Sequence, residues 1–336
     1  MKLALVHHQL AFGGGMESYF LEFMQEALQQ GHEVTLWVME RDLSVPVPPS
    51  VSVKVMPVSR MCPRFLRKYW FAWKLKRHRP AVDLVVSTTR SFGADILITG
   101  GTHRGYMRAC HRSGLKDHLE AYLEAKAYRS AAKIIAHSEA LRQELIELYR
   151  IDPKRIQMLY PPVDVRAFPF QKKAARSGPL RLLFASTSHQ RKGGFLLLEA
   201  LKKLPRTDFE LTIVGKPFKA AAAMSNVRCF GYVQNIADFY HEADWLVLPS
   251  YFEPFGLVVV QALECGTPVL VSARVGAAAL LDEKEGLILK EQTATALAQL
   301  LQEAKRLKYV IQPGFVARHD LSVSAHVEAV LRRPAC

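Results

Sequence analysis

WLVLPSYFEPFGLVVVQALECGTPV, residues 245–269, contains a strand, a loop, a helix and the start of a second strand. The unbroken apolar run at 245–248 suits a strand that is buried on both faces of a parallel sheet. The loop that follows presents Glu253, Gly256 opens an apolar helix, and Gly266-Thr267-Pro268 ends it. Because parallel neighbouring strands need a crossover connection, the stretch predicts a βαβ unit and an α/β protein.

The same alternation of short apolar strands and helical stretches continues along nearly the whole chain. It predicts strands at Lys2–Val6, Glu33–Val38, Ser52–Val55, Leu84–Ser87, Ile96–Thr99, Lys133–Ala136, Ile156–Leu159, Leu182–Ala185, Glu210–Val214, Val227–Phe230, Trp245–Leu248, Pro268–Val271 and Gly286–Leu289. It predicts helices at Met16–Gln30, Leu119–Ala132, Glu139–Tyr149, Gly194–Leu204 and Gly256–Cys265. Pro161-Pro162 interrupts the pattern, since two prolines cannot continue a helix or a central strand. We therefore expect two βαβ domains, residues 1–165 and 166–336, with a linker at Tyr160–Asp164.

Length and composition agree with this division. A chain of 336 residues is long enough for two domains. The apolar content of 49% excludes a disordered or collagen-like chain. No apolar run approaches the roughly 18 residues that a membrane-spanning helix needs. The five cysteines are never spaced CxxC, and free thiols in a reducing cytosol are the simplest interpretation.

The formal net charge of +14 implies an anionic partner. Residues 60–79 hold eight basic side chains, no acidic one and five large aromatics. Arg104, Arg108, Arg112 and Lys116 recur every four residues, which on one helix would form one face, although Gly105 and Gly114 disfavour that helix. Basic residues mixed with aromatics are typical of an element at a membrane surface. A solvated helix whose aromatics face the core fits equally well, and a nucleic-acid footprint fits least.

Three loops that follow predicted strands could bind an anionic ligand, because open α/β sheets bind ligands beyond the carboxyl ends of their strands. Gly13-Gly14-Gly15 precedes a helix, so it is either a phosphate cradle or a plain tight turn. It lacks the lysine of a P-loop and the spacing of a dinucleotide fingerprint. Arg191-Lys192 and Gly215-Lys216 follow two strands of the second half. Two cationic strand exits in one domain favour a diphosphate clamp over solvated turns.

The loop at Glu253 suits a ligand that carries both hydroxyl groups and phosphate. A carboxylate beside the free N–H groups of a helix start can accept hydrogen bonds from sugar hydroxyls while the helix end binds phosphate. The alternative is that Glu253 only caps the helix, near the positive end of its dipole.

Taken together, these motifs resemble the retaining glycosyltransferases of family 4, which have the GT-B fold of two Rossmann-like domains facing each other across a cleft. The resemblance covers almost the full chain, and the Glu-Pro-Phe-Gly…Gly-Thr-Pro-Val block is its most specific part. Within the family the sequence is similar to the lipopolysaccharide core glucosyltransferases, whose basic membrane-interacting segment is comparable to Gly101–Arg129. The resemblance implies an N-terminal acceptor-binding domain and a C-terminal nucleotide-sugar-binding domain, with a last helix that can pack back on the first domain.

The resemblance also implies roles for individual residues. Glu253 would contact the transferred sugar, and His103 would face that sugar from a strand exit where His7 and His8 are the competing candidates. Arg191 and Lys216 would neutralise the donor diphosphate. The remaining donor-binding positions would be Gly14, Gly15, Lys192, Phe255, Gly256 and Leu257.

One position departs from the family pattern. Eight residues after Glu253 the family has a second glutamate that binds ribose hydroxyls, and this chain has Gln261. Glutamine keeps an acceptor oxygen but loses the charge, a difference of about 1 kcal/mol in a hydrogen bond. The swap is compatible with a tolerated change, with a different donor and with a degenerate enzyme.

The activity implied is transfer of a hexose, with retention, from a nucleotide diphosphate sugar such as UDP-glucose to a lipid-linked saccharide such as lipopolysaccharide core. No DxD-like motif is present among the candidate sites, so we expect neither a metal nor another cofactor beyond the donor substrate. We expect a cytoplasmic protein that binds the inner face of the cytoplasmic membrane through residues 60–79 and 104–116, and no nucleic acid. The alternatives are a catalytically degenerate GT-B scaffold and a sugar-nucleotide epimerase.

Overall fold

A computed structural model of the chain describes residues 1–11, 15–59, 61–174 and 176–332, with the Arg64 side chain left out. These residues form two compact units. Unit 1 comprises residues 1–162 together with the C-terminal segment from Val323, and unit 2 is Val163–Ser322. The boundary lies in the predicted linker, three residues before the position we expected. The last helix of the predicted second range, 166–336, belongs to unit 1, as the resemblance implied that it could.

Unit 1 is a parallel α/β layer structure. Its strands are β1 Lys2–Leu10, β2 Glu33–Arg41, β3 Ser52–Val55, β4 Leu84–Ser87, β5 Ile96–Thr99, β6 Lys133–Ala136 and β7 Ile156–Met158. Its first helices are α1 Gly15–Gln29, α2 Arg64–Arg77, α3 His103–Ala109, α4 Leu115–Ser130 and α5 Glu139–Tyr149. The strand order in the sheet is β3-β2-β1-β4-β5-β6-β7.

Unit 2 repeats the same architecture with a smaller sheet. Its strands are β8 Leu180–Ser186, β9 Phe209–Gly215, β10 Val227–Phe230, β11 Trp245–Leu248, β12 Val269–Ser272 and β13 Gly286–Leu289. Its helices are α6 Gly194–Lys202, α7 Ala237–Glu242, α8 Leu257–Glu264, α9 Ala294–Arg306 and α10 Phe315–Arg318. The strand order is β10-β9-β8-β11-β12-β13. The last helix, α11 Val323–Leu331, returns to unit 1.

Each sheet has one point at which the chain changes its direction of winding. In unit 1 this point lies between β1 and β4, and in unit 2 it lies between β8 and β11. The sheet of unit 2 is covered on both faces at β11, because none of the four side chains of this strand is more than 3% exposed. Ligands of open α/β sheets bind at these switch points, so the loops after β1, β4, β8 and β11 are the places to look for a site.

The prediction for the first strand was wrong at its end. Strand β1 continues to Leu10, so His7 and His8 lie within it and not beyond it. The strand extends because β2 also continues, and the parallel register pairs His7 with Val38 and Leu10 with Arg41. Hydrogen bonding with β2 therefore extends the strand through polar residues that interrupt the apolar sequence pattern.

The segment from Arg104 to Lys116 does not form a single helix, in agreement with the glycines that disfavoured it. Arg104 and Arg108 lie on α3, Arg112 lies in the connection, and Lys116 lies on α4. Gly114 takes the N-cap position of α4 in extended backbone, as its low helix propensity favours. The four cations therefore do not share a helix face.

Helix α11 completes the core of unit 1. Val327, Val330 and Leu331 belong to the same apolar cluster as Phe20 and Phe23 of α1. Beside them the Tyr19 hydroxyl lies 2.7 Å from His326 Nε2, and the ring of the buried His137 lies 5.3 Å from that of Tyr19. Burial lowers the pKa of His137 to about 3 and that of His326 to about 4. Both imidazoles are therefore held neutral at this helix junction.

Candidate functional site

Three sequence-predicted residues meet at the switch point of unit 2. The Arg191 guanidinium, after β8, lies 3.2 Å from Glu253 Oε2, and Lys192 Nζ lies 3.5 Å from the same oxygen. Arg191 also donates to the Phe252 carbonyl at 2.7 Å. The side chains of Glu253 and Lys192 are each only 12% exposed, so solvent screens this cluster weakly. Two cations thus share one carboxylate.

The loops after β8 and β11 are fixed against each other. The Tyr251 N–H donates to the Arg191 carbonyl at 2.9 Å. Gly193 has φ 77°, and a Cβ added there would lie 2.1 Å from the Pro249 carbonyl oxygen. Only glycine allows the two backbones to approach this closely. The close packing and the hydrogen bond place the backbone of Arg191 and Lys192 against the loop that contains Glu253.

A segment that we did not predict holds Glu253 from its other side. The Glu253 N–H donates to the Arg274 carbonyl at 3.3 Å, and the Glu253 carbonyl accepts from the Gly276 N–H at 3.0 Å. The Phe255 carbonyl accepts from the Ala277 N–H at 2.8 Å. No pattern in the sequence marks residues 274–277, because only the tertiary fold brings this turn beside Glu253.

Helices α6 and α8 both begin at the site without a capping side chain. Gly193 and Gly256 occupy the N-cap positions with φ 77° and φ 94°. In the first turns, the Gly194 N–H donates to the His189 carbonyl at 2.7 Å and the Val259 N–H donates to the Gly256 carbonyl at 2.9 Å. The helix dipole adds positive potential at both starts. The carboxylate of Glu253 contacts the cations, whereas Gly256 takes the cap position, so Glu253 does not have the capping role. Two helix starts of this kind favour an anionic ligand.

Lys216 lies at the neighbouring strand exit with an exposed side chain. Its N–H donates to the Ser186 carbonyl at 2.9 Å, which joins the ends of β9 and β8. His189 Nε2 donates to the Lys216 carbonyl at 2.8 Å, and its ring stacks on Phe218 at 4.1 Å. His189 therefore fixes the peptide of Lys216. His189 was not among the predicted site residues, and the only signal for it in the sequence is its position in the loop before Arg191.

The other predicted donor-binding residues have different surroundings. Phe255 is 4% exposed, so its ring is buried, and its carbonyl accepts from the Ala277 N–H. Leu257 opens α8 and is partly buried. Gln261 Oε1 accepts from the Tyr240 hydroxyl at 3.0 Å, so the amide oxygen is directed toward α7. Gly15 is the exposed first residue of α1 in unit 1, while Gly14 falls outside the described residues.

His103 lies in unit 1 at the start of α3, after β5. Its Nε2 is 3.1 Å from Asp117 Oδ1 and its Nδ1 is 3.7 Å from Glu120 Oε2. Two carboxylates of α4 therefore flank the imidazole, and neither was among the predicted site residues.

The competing histidines occupy the switch point of unit 1. His7 Nδ1 lies 2.7 Å from Thr88 Oγ1, and a ring nitrogen of His8 lies 2.6 Å from Thr89 Oγ1. Burial, assisted by the charges of His7, Lys68 and Arg90, lowers the pKa of His8 well below its ordinary value. These histidines join β1 to the end of β4.

Comparison with known proteins agrees with this arrangement of two units. The family model "Glycosyltransferase Family 4" matches residues 13–167, and the model "Glycosyl transferases group 1" matches residues 165–311. A probable transglycosylase of Burkholderia thailandensis is 32% identical, over 98% of this chain and 96% of that protein. The fold and the matched domains define a glycosyltransferase of the GT-B fold.

Solved structures give the same fold over the full chain. WaaG, a glycosyltransferase involved in lipopolysaccharide biosynthesis, superposes with a TM-score of 0.78 at 21% identity, covering 98% of this chain and 95% of that one. Anabaena HepE in complex with UDP-glucose gives 0.70 at 16% identity, covering 98% and 94%. The chain belongs to glycosyltransferase family 4.

Proposed function

We propose that the protein is a retaining glycosyltransferase that moves a hexose from a nucleotide diphosphate sugar, UDP-glucose or a close relative, to a lipid-linked saccharide such as lipopolysaccharide core. The observation that carries this proposal is the cluster of Arg191, Lys192 and Glu253 between two uncapped helix starts. With Lys216 at the adjacent strand exit, the cations outnumber the carboxylate. Such an excess of positive charge suits a diphosphate, and the carboxylate suits the sugar hydroxyls.

The proposed reaction is a front-face substitution, in keeping with the family. The bond between the anomeric carbon and the diphosphate oxygen breaks, the acceptor oxygen bonds to that carbon on the same face, and the acceptor proton passes to the departing diphosphate. Arg191, Lys216 and the starts of α6 and α8 stabilise the charge that develops on the leaving group. Glu253 holds the sugar in position, and His103 is assigned a contact with the same sugar.

The similar proteins support this choice of substrates without deciding it. HepE was solved with UDP-glucose, and WaaG is described as acting in lipopolysaccharide biosynthesis. Gln261, which departs from the family's second glutamate, favours a degenerate scaffold as the competing function.

The first test is a panel of nucleotide sugars. We expect UDP-glucose or one relative, and its nucleoside diphosphate, to raise the melting temperature, since a ligand at 100 times its Kd stabilises a protein by about 2.7 kcal/mol. With an acceptor present, we expect a glycoside whose anomeric configuration is that of the donor. We also expect a transfer rate that EDTA does not change. A panel in which no nucleotide sugar stabilises the protein contradicts the donor site. An epimerised donor formed without acceptor identifies an epimerase, and a rate lost with EDTA and recovered with Mn²⁺ contradicts metal independence.

We also propose that unit 1 binds an anionic membrane surface. Within the described residues no helix is both long and apolar enough to cross a membrane. On α2, Tyr69 and Phe71 are buried, whereas Trp70 is 50% and Trp73 45% exposed. The two indoles lie 5.3 Å apart, and the Arg77 guanidinium lies 5.7 Å from the Trp73 ring. One face of α2 therefore packs its aromatics in the core, and the exposed indoles beside Arg77 support the proposed membrane contact.

Helix α4 presents a similar exposed face and touches α2. Leu115 is 91%, Leu119 37% and Tyr122 52% exposed, at the spacing of one helix face. Lys126 Nζ lies 4.8 Å from the Tyr122 ring. The Tyr69 hydroxyl of α2 donates to the Glu120 carbonyl of α4 at 3.3 Å, so the two helices are neighbours. Exposed aromatic and apolar side chains beside cations suit the headgroup layer of an anionic bilayer.

Reversing charge and removing the indoles should release the protein from such vesicles. We expect the parent protein to co-sediment with vesicles containing phosphatidylglycerol and not with pure phosphatidylcholine. A variant with Trp70→Ser, Trp73→Ser, Lys76→Glu and Arg77→Glu should bind at least about tenfold more weakly, since each cation contributes about 1 kcal/mol. Reversal of the exposed Lys284 and Lys290 in unit 2 is the control. Equal sedimentation of parent and α2 variant contradicts the membrane proposal.

A further inference from the structure

Unit 1 contains a fully buried carboxylate that was not among the predicted site residues. Glu124 on α4 has 0% exposure. Its Oε1 accepts from Arg90 Nε at 2.5 Å, and its Oε2 accepts from the His103 N–H at 2.7 Å and from the Tyr149 hydroxyl. A buried carboxylate is strongly destabilising unless it is paired and hydrogen-bonded. Three donors from three different elements satisfy this one.

The donors to Glu124 place the first turn of α3. The His103 N–H bonds directly to Glu124, and the Arg104 N–H donates to the Tyr149 hydroxyl at 2.9 Å, which in turn donates to Glu124. Burial and the nearby Glu124 charge raise the pKa of Tyr149, so its hydroxyl keeps the proton that it donates. Glu124 and Tyr149 therefore hold the His103 and Arg104 N–H groups, while the N-cap residue Thr102 holds the Gly105 N–H.

The same helix also holds the ring of His103. Asp117 Oδ1 lies 3.1 Å from its Nε2, and Glu120 Oε2 lies 3.7 Å from its Nδ1. Since Glu124, Asp117 and Glu120 all lie on α4, this helix fixes both the peptide and the imidazole of His103.

Glu124 further joins the ends of two neighbouring strands. Arg90 follows β4, which lies at the switch point of unit 1, and His103 follows β5, the next strand in the sheet. We propose that Glu124 is a positioning residue that sets the places of Arg90 and His103 at this sheet edge, and with them the contact of His103 with the transferred sugar. This inference rests on the proposed function, in which His103 contacts that sugar.

A purely structural role for Glu124 makes a different prediction from a positioning role. A buried ion pair with Arg90 that only stabilises the fold would lower the melting temperature on mutation and leave the kinetics of the folded protein unchanged. Tyr149→Phe separates the two roles, because it keeps the Glu124–Arg90 pair and removes only the hydroxyl between Glu124 and the Arg104 N–H. Tyr19→Phe is the matched control, since Tyr19 is also buried in unit 1 but bonds to His326.

The experiment measures transfer kinetics and amide hydrogen exchange on the full chain, using the donor that the nucleotide-sugar panel selects. We expect Tyr149→Phe to lower kcat about tenfold and Glu124→Gln about tenfold to hundredfold, because misplacing a group by about 1 Å costs up to about 10²-fold. The donor KM should change less than kcat, since the cations proposed to bind the donor diphosphate lie in unit 2. The Arg104 amide should exchange faster in Tyr149→Phe, and the His103 and Arg104 amides should exchange faster in Glu124→Gln. Both amides should keep the parental rate in Tyr19→Phe and in the exposed Glu147→Gln.

The outcomes separate this inference from the proposed function. Parental kcat and KM in Tyr149→Phe and Glu124→Gln overturn the positioning role while the transferase remains. An equal loss of kcat in Tyr19→Phe overturns it as well, because the effect would then be general. Should Glu124→Gln fail to fold, Tyr149→Phe decides. A parent protein that turns over no donor overturns the proposed function, and this inference with it.

Discussion

Glu253→Ala is expected to lower kcat/KM for donor turnover by about 10³-fold, equivalent to about 4 kcal/mol of transition-state stabilisation. The alanine removes the acceptor for sugar hydroxyls and leaves Arg191 and Lys192 without the carboxylate that lies 3.2 and 3.5 Å from them. Because all three side chains are mostly buried, the cations would then repel each other with little screening. The loss combines a missing sugar contact with a disordered diphosphate clamp.

A conservative variant separates the loss of the sugar contact from the loss of the diphosphate clamp. Glu253→Gln keeps an acceptor oxygen and the approximate shape, so we expect a smaller loss of about 10- to 100-fold. Steady-state kinetics of both variants, together with the melting temperature in the presence of the nucleoside diphosphate, distinguish lost chemistry from lost binding. The exposed Glu283→Gln in the same unit is the control. Parental turnover in Glu253→Ala rules out the assigned role of Glu253.

The second large effect is a loss of stability in unit 1 as the pH falls from 6.5 toward 4. The pKa of His137 is about 3 and that of His326 about 4 in the folded protein, against 6.5 for an ordinary histidine. Below pH 6.5 the unfolded chain binds these protons and the folded chain does not, so the free energy of unfolding decreases. Each histidine contributes about 1.4 kcal/mol per pH unit until its folded pKa is reached.

One carboxyl group opposes this trend. Burial raises the pKa of Glu144 to about 7, so between pH 7 and 4.5 the folded chain holds a proton that the unfolded chain releases. That difference stabilises the folded state as the pH falls and offsets about one histidine. His8, whose pKa is also lowered, acts in the same direction as His137 and His326.

Variants isolate the two histidines of the helix junction. The double variant His137→Gln with His326→Gln should lose about 3 kcal/mol less than the parent between pH 6.5 and pH 5. Urea unfolding at the two pH values, followed through hydrogen exchange of peptides from β1 and β4, reports unit 1 separately from unit 2. The exposed His118→Asn should keep the parental slope. An unchanged slope in the double variant shows that the junction histidines do not carry the effect.

Strands were predictable where burial alone decides them. Trp245–Leu248 and Ile96–Thr99 have the predicted bounds, because both are continuous apolar runs that the sheet covers on both faces. Strand β1 is longer than predicted, because its pairing with β2 includes His7 and Gln9, and no apolar pattern in the sequence marks these residues. Helix α9 was not among the predicted helices, although its buried Leu297 and Leu301 recur at helical spacing.

The residues of the candidate site were predictable from the sequence only where they directly follow the carboxyl end of a strand. Arg191 and Glu253 follow adjacent parallel strands, so their meeting follows from topology. Glu124 lies 34 residues from Arg90 and 21 from His103 in the chain, and only the packing of α4 brings the three together. A single sequence has no local pattern for a contact of that kind.

The return of α11 to unit 1 also sets the order in which the newly made protein can fold. Unit 2 is one continuous segment, so all of it has been synthesised before the ribosome reaches Val323. Unit 1 is begun first but receives Val327, Val330 and Leu331 of its core last. During translation its helix α1 therefore keeps an uncovered apolar surface. A premature stop before Val323 would spare the later-made domain and leave the earlier-made one incomplete.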